Sequence, residues 1–115
     1  MQYDLEERCA KFGEAIILFL RSAPYNEITQ PLVRQLIRSA TSIGANYMEA
    51  NQASSKKDFQ NKIRISQKEA NETKHWLRML AVSLPEDRDK CRKFWKEAHE
   101  LTLIFAKISK GCQKV

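Results

Sequence analysis

Ser39-Ala-Thr-Ser-Ile-Gly-Ala-Asn-Tyr-Met-Glu-Ala-Asn51 is small or apolar almost all the way round, although the chain on either side is charged and patterned for helix. Before the final Asn51 its strongly polar members are Asn46 and Glu49, three residues apart and therefore on one helix face. A helix without a solvated side has to be covered on every side. A chain of 115 residues has little material with which to cover it alone. The stretch predicts a contact between subunits, with Asn46 and Glu49 in a polar cluster inside it.

Punctuation on both sides of this stretch divides the chain into four helices. The first runs from about Tyr3 to Ser22, with Leu5, Cys9, Phe12, Ile16 and Phe19 spaced four and three apart, and Pro24 breaks it. The second starts at Thr29 or Gln30, with Pro31 at the first helical position, and carries Leu32, Leu36, Ala40, Ile43, Tyr47 and Ala50. Ser55 with Asp58 reads as a capping-box start for the third, which carries Phe59, Ile63, Ser66, Ala70, Thr73, Leu77 and Leu80. Pro85 and two acids open the fourth, with Cys91, Phe94, Ala98, Leu101, Phe105 and Ile108, and Gly111 is its expected stop. Helices of about 20 to 27 residues with a seam of period near 3.5 and short breaks give an all-α, antiparallel up-down four-helix bundle, one domain over residues 1–115.

The totals agree. Three Gly and three Pro leave little material for sheet turns. No apolar run approaches the roughly 18 to 20 residues that span a bilayer, so no membrane role is expected. The acidic N-terminus shows no signal-peptide core. Three widely spaced cysteines, an odd number, argue against a disulfide framework. Cys9, Cys91 and Cys112 fall on apolar stripes and read as reduced core residues, so the expected location is cytoplasmic. Residues 1–55 hold five basic and six acidic side chains and residues 56–115 fifteen and eight, so the surplus behind the net +6 lies in the C-terminal half. Such a half can attract nucleic acid or another acidic partner.

On the third helix, wheel arithmetic separates three faces. The Phe59–Leu80 seam is core. Opposite it lie Lys57, Asn61, Arg64, Lys68, Asn71, His75 and Arg78, a stripe with four formal positive charges and no acid. Its spacing suits phosphates, without base specificity. The flank between carries Ile65, Glu69, Glu72, Trp76 and Met79, and the apolar members there suit an interface centre. Ile43, Tyr47, Ile65, Trp76 and Met79 are the expected subunit contacts. Asn46, Glu49, Glu69 and Glu72 form the expected polar cluster, with partners from another helix or another chain.

Catalytic chemistry finds no support. Glu72-x-x-His75 is half of a di-iron motif, but Lys96 stands where His99 would need a glutamate. No phosphate loop, Cys-x-x-Cys pair or nucleophile elbow occurs. Gly44 reads as a point of close helix approach. The expectation is a protein that is not an enzyme and takes no cofactor or metal.

Leu36-Ile-Arg-Ser-Ala-Thr-Ser-Ile-Gly-Ala-Asn-Tyr-Met-Glu-Ala-Asn51, Ser55-Lys-Lys-Asp-Phe59 and Glu69-Ala-Asn-Glu-Thr-Lys-His-Trp-Leu77 closely resemble the bacterial four-helix-bundle family, also called the 23S rRNA intervening-sequence protein (S23) family. The resemblance covers nearly the whole chain and is strongest from about Leu32 to Leu80. It implies a small cytoplasmic bundle that assembles into a ring-like homopentamer. The family's Ser-Ile-x-x-Asn-x-x-Glu pattern falls on Ser42, Ile43, Asn46 and Glu49, its helix-three acids on Glu69 and Glu72, and Trp76-Leu77 matches as well. The expected function is a homo-oligomeric, non-catalytic scaffold or adaptor, with RNA, DNA or a protein that handles them as partner. Lys57, Arg64, Lys68, Arg78, Arg92, Lys93 and Lys96 are the candidate contacts, with Lys56 in support. The alternative is a purely protein–protein structural module.

Overall fold

The computed structural model describes residues 2–113, with side chains from Asp4 to Gly111. Four helices follow one another, α1 (Gln2–Leu20), α2 (Thr29–Ala50), α3 (Lys56–Ser83) and α4 (Arg88–Gln113), with a 3-10 turn over Pro85–Asp87. No strand occurs among the described residues. The bundle measures 47 × 22 × 19 Å. Its long axis fits the 28 residues of α3 at about 1.5 Å each.

Local chemistry sets most of the boundaries. Ser55 caps α3: its hydroxyl accepts from the Asp58 N–H at 3.0 Å. At α2 the structure departs from the expectation that Pro31 opens the helix. Asn26 does the capping, its Oδ1 accepting from the N–H groups of Ile28 at 3.0 Å and Thr29 at 2.8 Å. Pro31 stands two residues inside, just past Gln30, whose N–H already bonds the Asn26 carbonyl at 3.0 Å. Gly111 does not stop α4, which continues to Gln113 with no described glycine at positive φ. One glycine costs about 1 kcal/mol in a helix interior, too little to end an element of this length. The Cys112 side chain lies outside the described residues.

Cross-helix bonds fix the antiparallel register. Between α2 and α3, Thr29 Oγ1 stands 2.6 Å from Ser83 Oγ, and the Ser66 hydroxyl donates to the Ile43 carbonyl at 3.0 Å. The Thr73 hydroxyl lies 2.9 Å from Ser39 Oγ and 2.8 Å from the Glu69 carbonyl. Helix α3 packs extensively on both α2 and α4, and α1 packs on α2. Helix α4 meets α1 chiefly through long side chains: Phe94 sits 6.2 Å from Phe12 and 5.3 Å from Phe19 between ring centroids.

The core corrects the reading of helix two. Ile43 and Tyr47, expected at a subunit contact, are 0% and 1% exposed within the single chain. Tyr47 packs edge-on against Phe105 of α4 at 5.4 Å, so both residues already serve the protomer's own core. On the remaining sides of α2, small polar residues bond their own backbone. Thr41 donates to the Ile37 carbonyl at 2.7 Å, Ser42 to Arg38 at 2.6 Å and Asn46 to Ser42 at 2.9 Å. Thr41, Ala45 and Met48 face solvent. Gly44 is a point of close approach: a Cβ there would stand 3.3 Å from Cys9 Cβ on α1. Cys9 and Cys91 are buried, and desolvation pushes their thiols up to about 12 and about 11, so both stay protonated at neutral pH.

Candidate functional site

Three faces of the bundle carry the candidate residues. The first lies between α2 and α3. Arg38 reaches across from α2, and its Nη1 donates to both Glu69 oxygens at 3.1 and 3.3 Å. Its Nη2 pairs with Glu72 Oε2, which also accepts from Trp76 Nε1 at 2.9 Å. Glu69 is 8% exposed, and this ion pair answers its charge. The Arg38 guanidinium is held above its ordinary value: burial works against the charge, but attraction and hydrogen bonding to Glu69, and then to Glu72, outweigh it.

The four predicted polar residues do not converge on one network. Glu69 and Glu72 share Arg38. Glu49 accepts from Lys62 of α3 at 2.7 Å, and this bond raises the Lys62 ammonium. Asn46 bonds within its own helix. The partners come from the same chain. Among the predicted contacts, Ile65, Trp76 and Met79 remain partly exposed on this face, unlike Ile43 and Tyr47. Beyond Trp76, Ile28 and Val82 are 73% and 79% exposed and, with Leu32 and Met79, border an open depression of about 920 Å³.

Glu72 gives this face a pH dependence. Its carboxyl is held below the usual range, first by the Trp76 hydrogen bond and then by Arg38 and Lys68, with burial opposing. A carboxylate depressed in the folded state contributes stability above its unfolded pKa, and that contribution is lost as pH falls through the folded value. The thermal stability of the wild type should therefore fall more steeply than that of Glu72→Gln as pH drops below about 4.5. Parallel melting curves from pH 6 downward would remove Glu72 from the account.

The second face is the outer side of α3. Lys57, Arg64, Lys68 and Arg78 are all exposed, as are Asn61, Asn71 and His75 between them. None of these four cations forms an ion pair within the described residues. His75 stands edge-on to Trp76 at 4.9 Å, and Glu72 is engaged by Arg38 and Trp76. No group of three or more His, Cys, Asp or Glu among the described residues is arranged to hold a metal. No helix there is long and apolar enough to cross a membrane.

The third face, along α4, splits the predicted basic group. Arg92 turns toward α3 and joins Arg78, Arg88 and Trp95 in one groove of about 330 Å³. Lys93 turns toward α1, beside Phe94 and Lys11. Lys96 is exposed between them. The sequence reading missed Arg88, Trp95 and His99. Wheel arithmetic on α4 places them within about 60° of one another together with Arg92, a signal available without coordinates.

The fold and these faces define an all-α bundle with self-satisfied polar clusters and a free basic face. The chain belongs to the family of 23S rRNA-intervening sequence proteins, whose profile matches residues 2–100. Its fold is similar to that of a protein of unknown function from the S23 ribosomal protein family of Bacteroides thetaiotaomicron, known from a crystal structure. The two share 32% identity at a TM-score of 0.83, over 96% of this chain and 99% of that one. No curated protein matches the chain.

Proposed function

We propose that this protein is a non-catalytic scaffold that self-associates and engages nucleic acid through the outer face of α3. The observation that carries the reading is the run of four exposed cations, Lys57, Arg64, Lys68 and Arg78, with no ion pair among the described residues and no acid interleaved. Charges already matched within the chain have little left to offer a polyanion, whereas these are available to displace counterions from phosphates. Arg92 on α4 shares a groove with Arg78 of this run. Repetition of the face around an oligomer would multiply weak contacts.

Fluorescence anisotropy with labelled RNA and DNA tests the binding half. Joint reversal of Lys57, Arg64 and Lys68 to Glu should weaken binding more than tenfold near 0.1 M salt. It should also flatten the dependence of log K on log salt by roughly 0.7 to 0.9 for each phosphate no longer neutralised. An affinity and slope untouched by the triple reversal would exclude this face.

The self-association half rests on the partly exposed Trp76 and Met79 and on Ile28 and Val82, 73% and 79% exposed, apolar side chains of the kind that mark interaction sites when they stand together. Light scattering should give a multiple of 13.4 kDa, with five copies as the expected number. Val82→Asp, at a site 79% exposed, should reduce the mass toward one copy without altering helicity. Native mass unchanged by both Val82→Asp and Trp76→Ala would place the contact elsewhere. A multimer that ignores nucleic acid would instead favour a protein–protein module built on this same patch.

A further inference from the structure

We propose that the groove between α3 and α4 binds single-stranded nucleic acid, with Trp95 stacking an unpaired base and Arg78, Arg88 and Arg92 holding its phosphates. This rests on the basic-face reading and adds to it a site and a strand state.

The groove is lined by Leu77, Arg78, Ala81, Arg88, Cys91, Arg92 and Trp95. Its floor is neutral and apolar: Leu77 and Cys91 are 1% and 2% exposed, and burial keeps the Cys91 thiol protonated. Its walls carry three guanidiniums and no acid. None of the three forms an ion pair among the described residues. At about 330 Å³ the groove lies at the small end of the ~300–1,000 Å³ typical of ligand sites, fitting one flat group rather than a duplex.

Trp95 supplies the aromatic component that the α3 stripe lacks. It remains 37% exposed beside the arginines. Its orientation is fixed: the His99 ring stacks on it at 5.1 Å and 17°, and Lys74 Nζ lies 5.2 Å from the indole centroid and 3.1 Å from His99 Nδ1. An indole held by a stacked imidazole and a cation over its ring loses little freedom when a base stacks on what remains exposed. Paired bases hide their faces, so such a platform distinguishes single strands from duplex. Arginine suits the phosphates because its planar fork meets two oxygens at once.

The test compares an oligo-dT, an oligo-U and a DNA duplex of equal length by anisotropy, with indole fluorescence read in a Trp76→Phe background that leaves Trp95 as reporter. The expected result is tighter binding of the single strands, with quenching of Trp95. Trp95→Ala should weaken single-strand binding by about tenfold or more and leave duplex binding unchanged. Arg88→Ala and Arg92→Ala should weaken it too, all three with wild-type circular dichroism. Equal affinity for strand and duplex, unquenched Trp95 and no effect of Trp95→Ala would overturn the groove while leaving the basic face standing. Absence of binding to any of the three polymers would overturn both.

Discussion

Phe105→Ala is expected to lower the stability of the bundle by about 3–5 kcal/mol, the usual cost of removing a buried ring. Phe105 is 0% exposed and sits in the layer where α4 meets α2. Its edge-on contact with Tyr47, at 5.4 Å and 64°, adds about 0.5–1.5 kcal/mol beyond the buried area. Collapse into the void would have to move a helix, since Tyr47 beside it and the other members of the same core cluster, Leu101 and Ile43 among them, are themselves buried. Against a total of about 5–15 kcal/mol for a domain, the loss is large. A melting temperature about 10–25 °C lower should follow, measured at one protein concentration because assembly shifts the midpoint. A loss below about 1 kcal/mol would mean that this layer is not packed as described.

Gly44→Val is the second large effect. A Cβ at this position would stand 3.3 Å from Cys9 Cβ and 3.6 Å from the Cys9 carbonyl carbon, so the obstruction is partly backbone of α1 and has nowhere to swing. Adding the two methyls of valine has to push α1 away from α2. Overpacking of this kind costs about 1–3 kcal/mol, well above the few tenths recovered from leaving glycine in a helix interior. Chemical denaturation should show the loss together with weakened protection of α1 amides. Stability at or above wild type would show that α1 can shift without cost. Gly13 marks the contrast on the same helix pair, for there a Cβ would meet Thr41 at an ordinary 3.7 Å.

The helices were legible because their signals are local. Apolar residues three and four apart fixed the seams, and Ser55, Pro24 and Pro85 fixed most of the breaks. Asn26 was missed as a cap because it sits three residues ahead of α2 and acts through an Asx turn rather than from the adjoining position. The stretch from Ser39 to Asn51 misled for a related reason. Its hydroxyls and the Asn46 amide bond their own helix, and Ile43 and Tyr47 are already buried within the single chain, so the inference that another subunit must cover the stretch does not hold for those two. Which carboxylate meets which cation was beyond the sequence. Lys62 for Glu49 and Arg38 for Glu69 and Glu72 depend on the relative register and tilt of α2 and α3, which periodicity within one helix does not encode. The stripe on α3 was read correctly as exposed; the α4 groove was not read, since it forms only when two helices are side by side.

Arg8 clasps α1 to α4. Its Nε and Nη2 grip the two oxygens of Glu97 at 2.7 Å each, and Nη2 also reaches Glu100 at 2.7 Å. The guanidinium is raised first by the Glu97 hydrogen bonds, with Glu100 adding to them. Every other extensive helix pairing joins neighbours along the chain, α1 with α2, α2 with α3 and α3 with α4. These are hairpins that zip locally and cost little loop entropy. The meeting of α1 with α4 joins the most distant of the four helices along the chain, and this buckle, with Phe12, Phe19 and Phe94 beneath it, turns a row of hairpins into a closed bundle. In kinetic language it is the long-range step, made after the zippers have run, and the natural place for the bundle to open first.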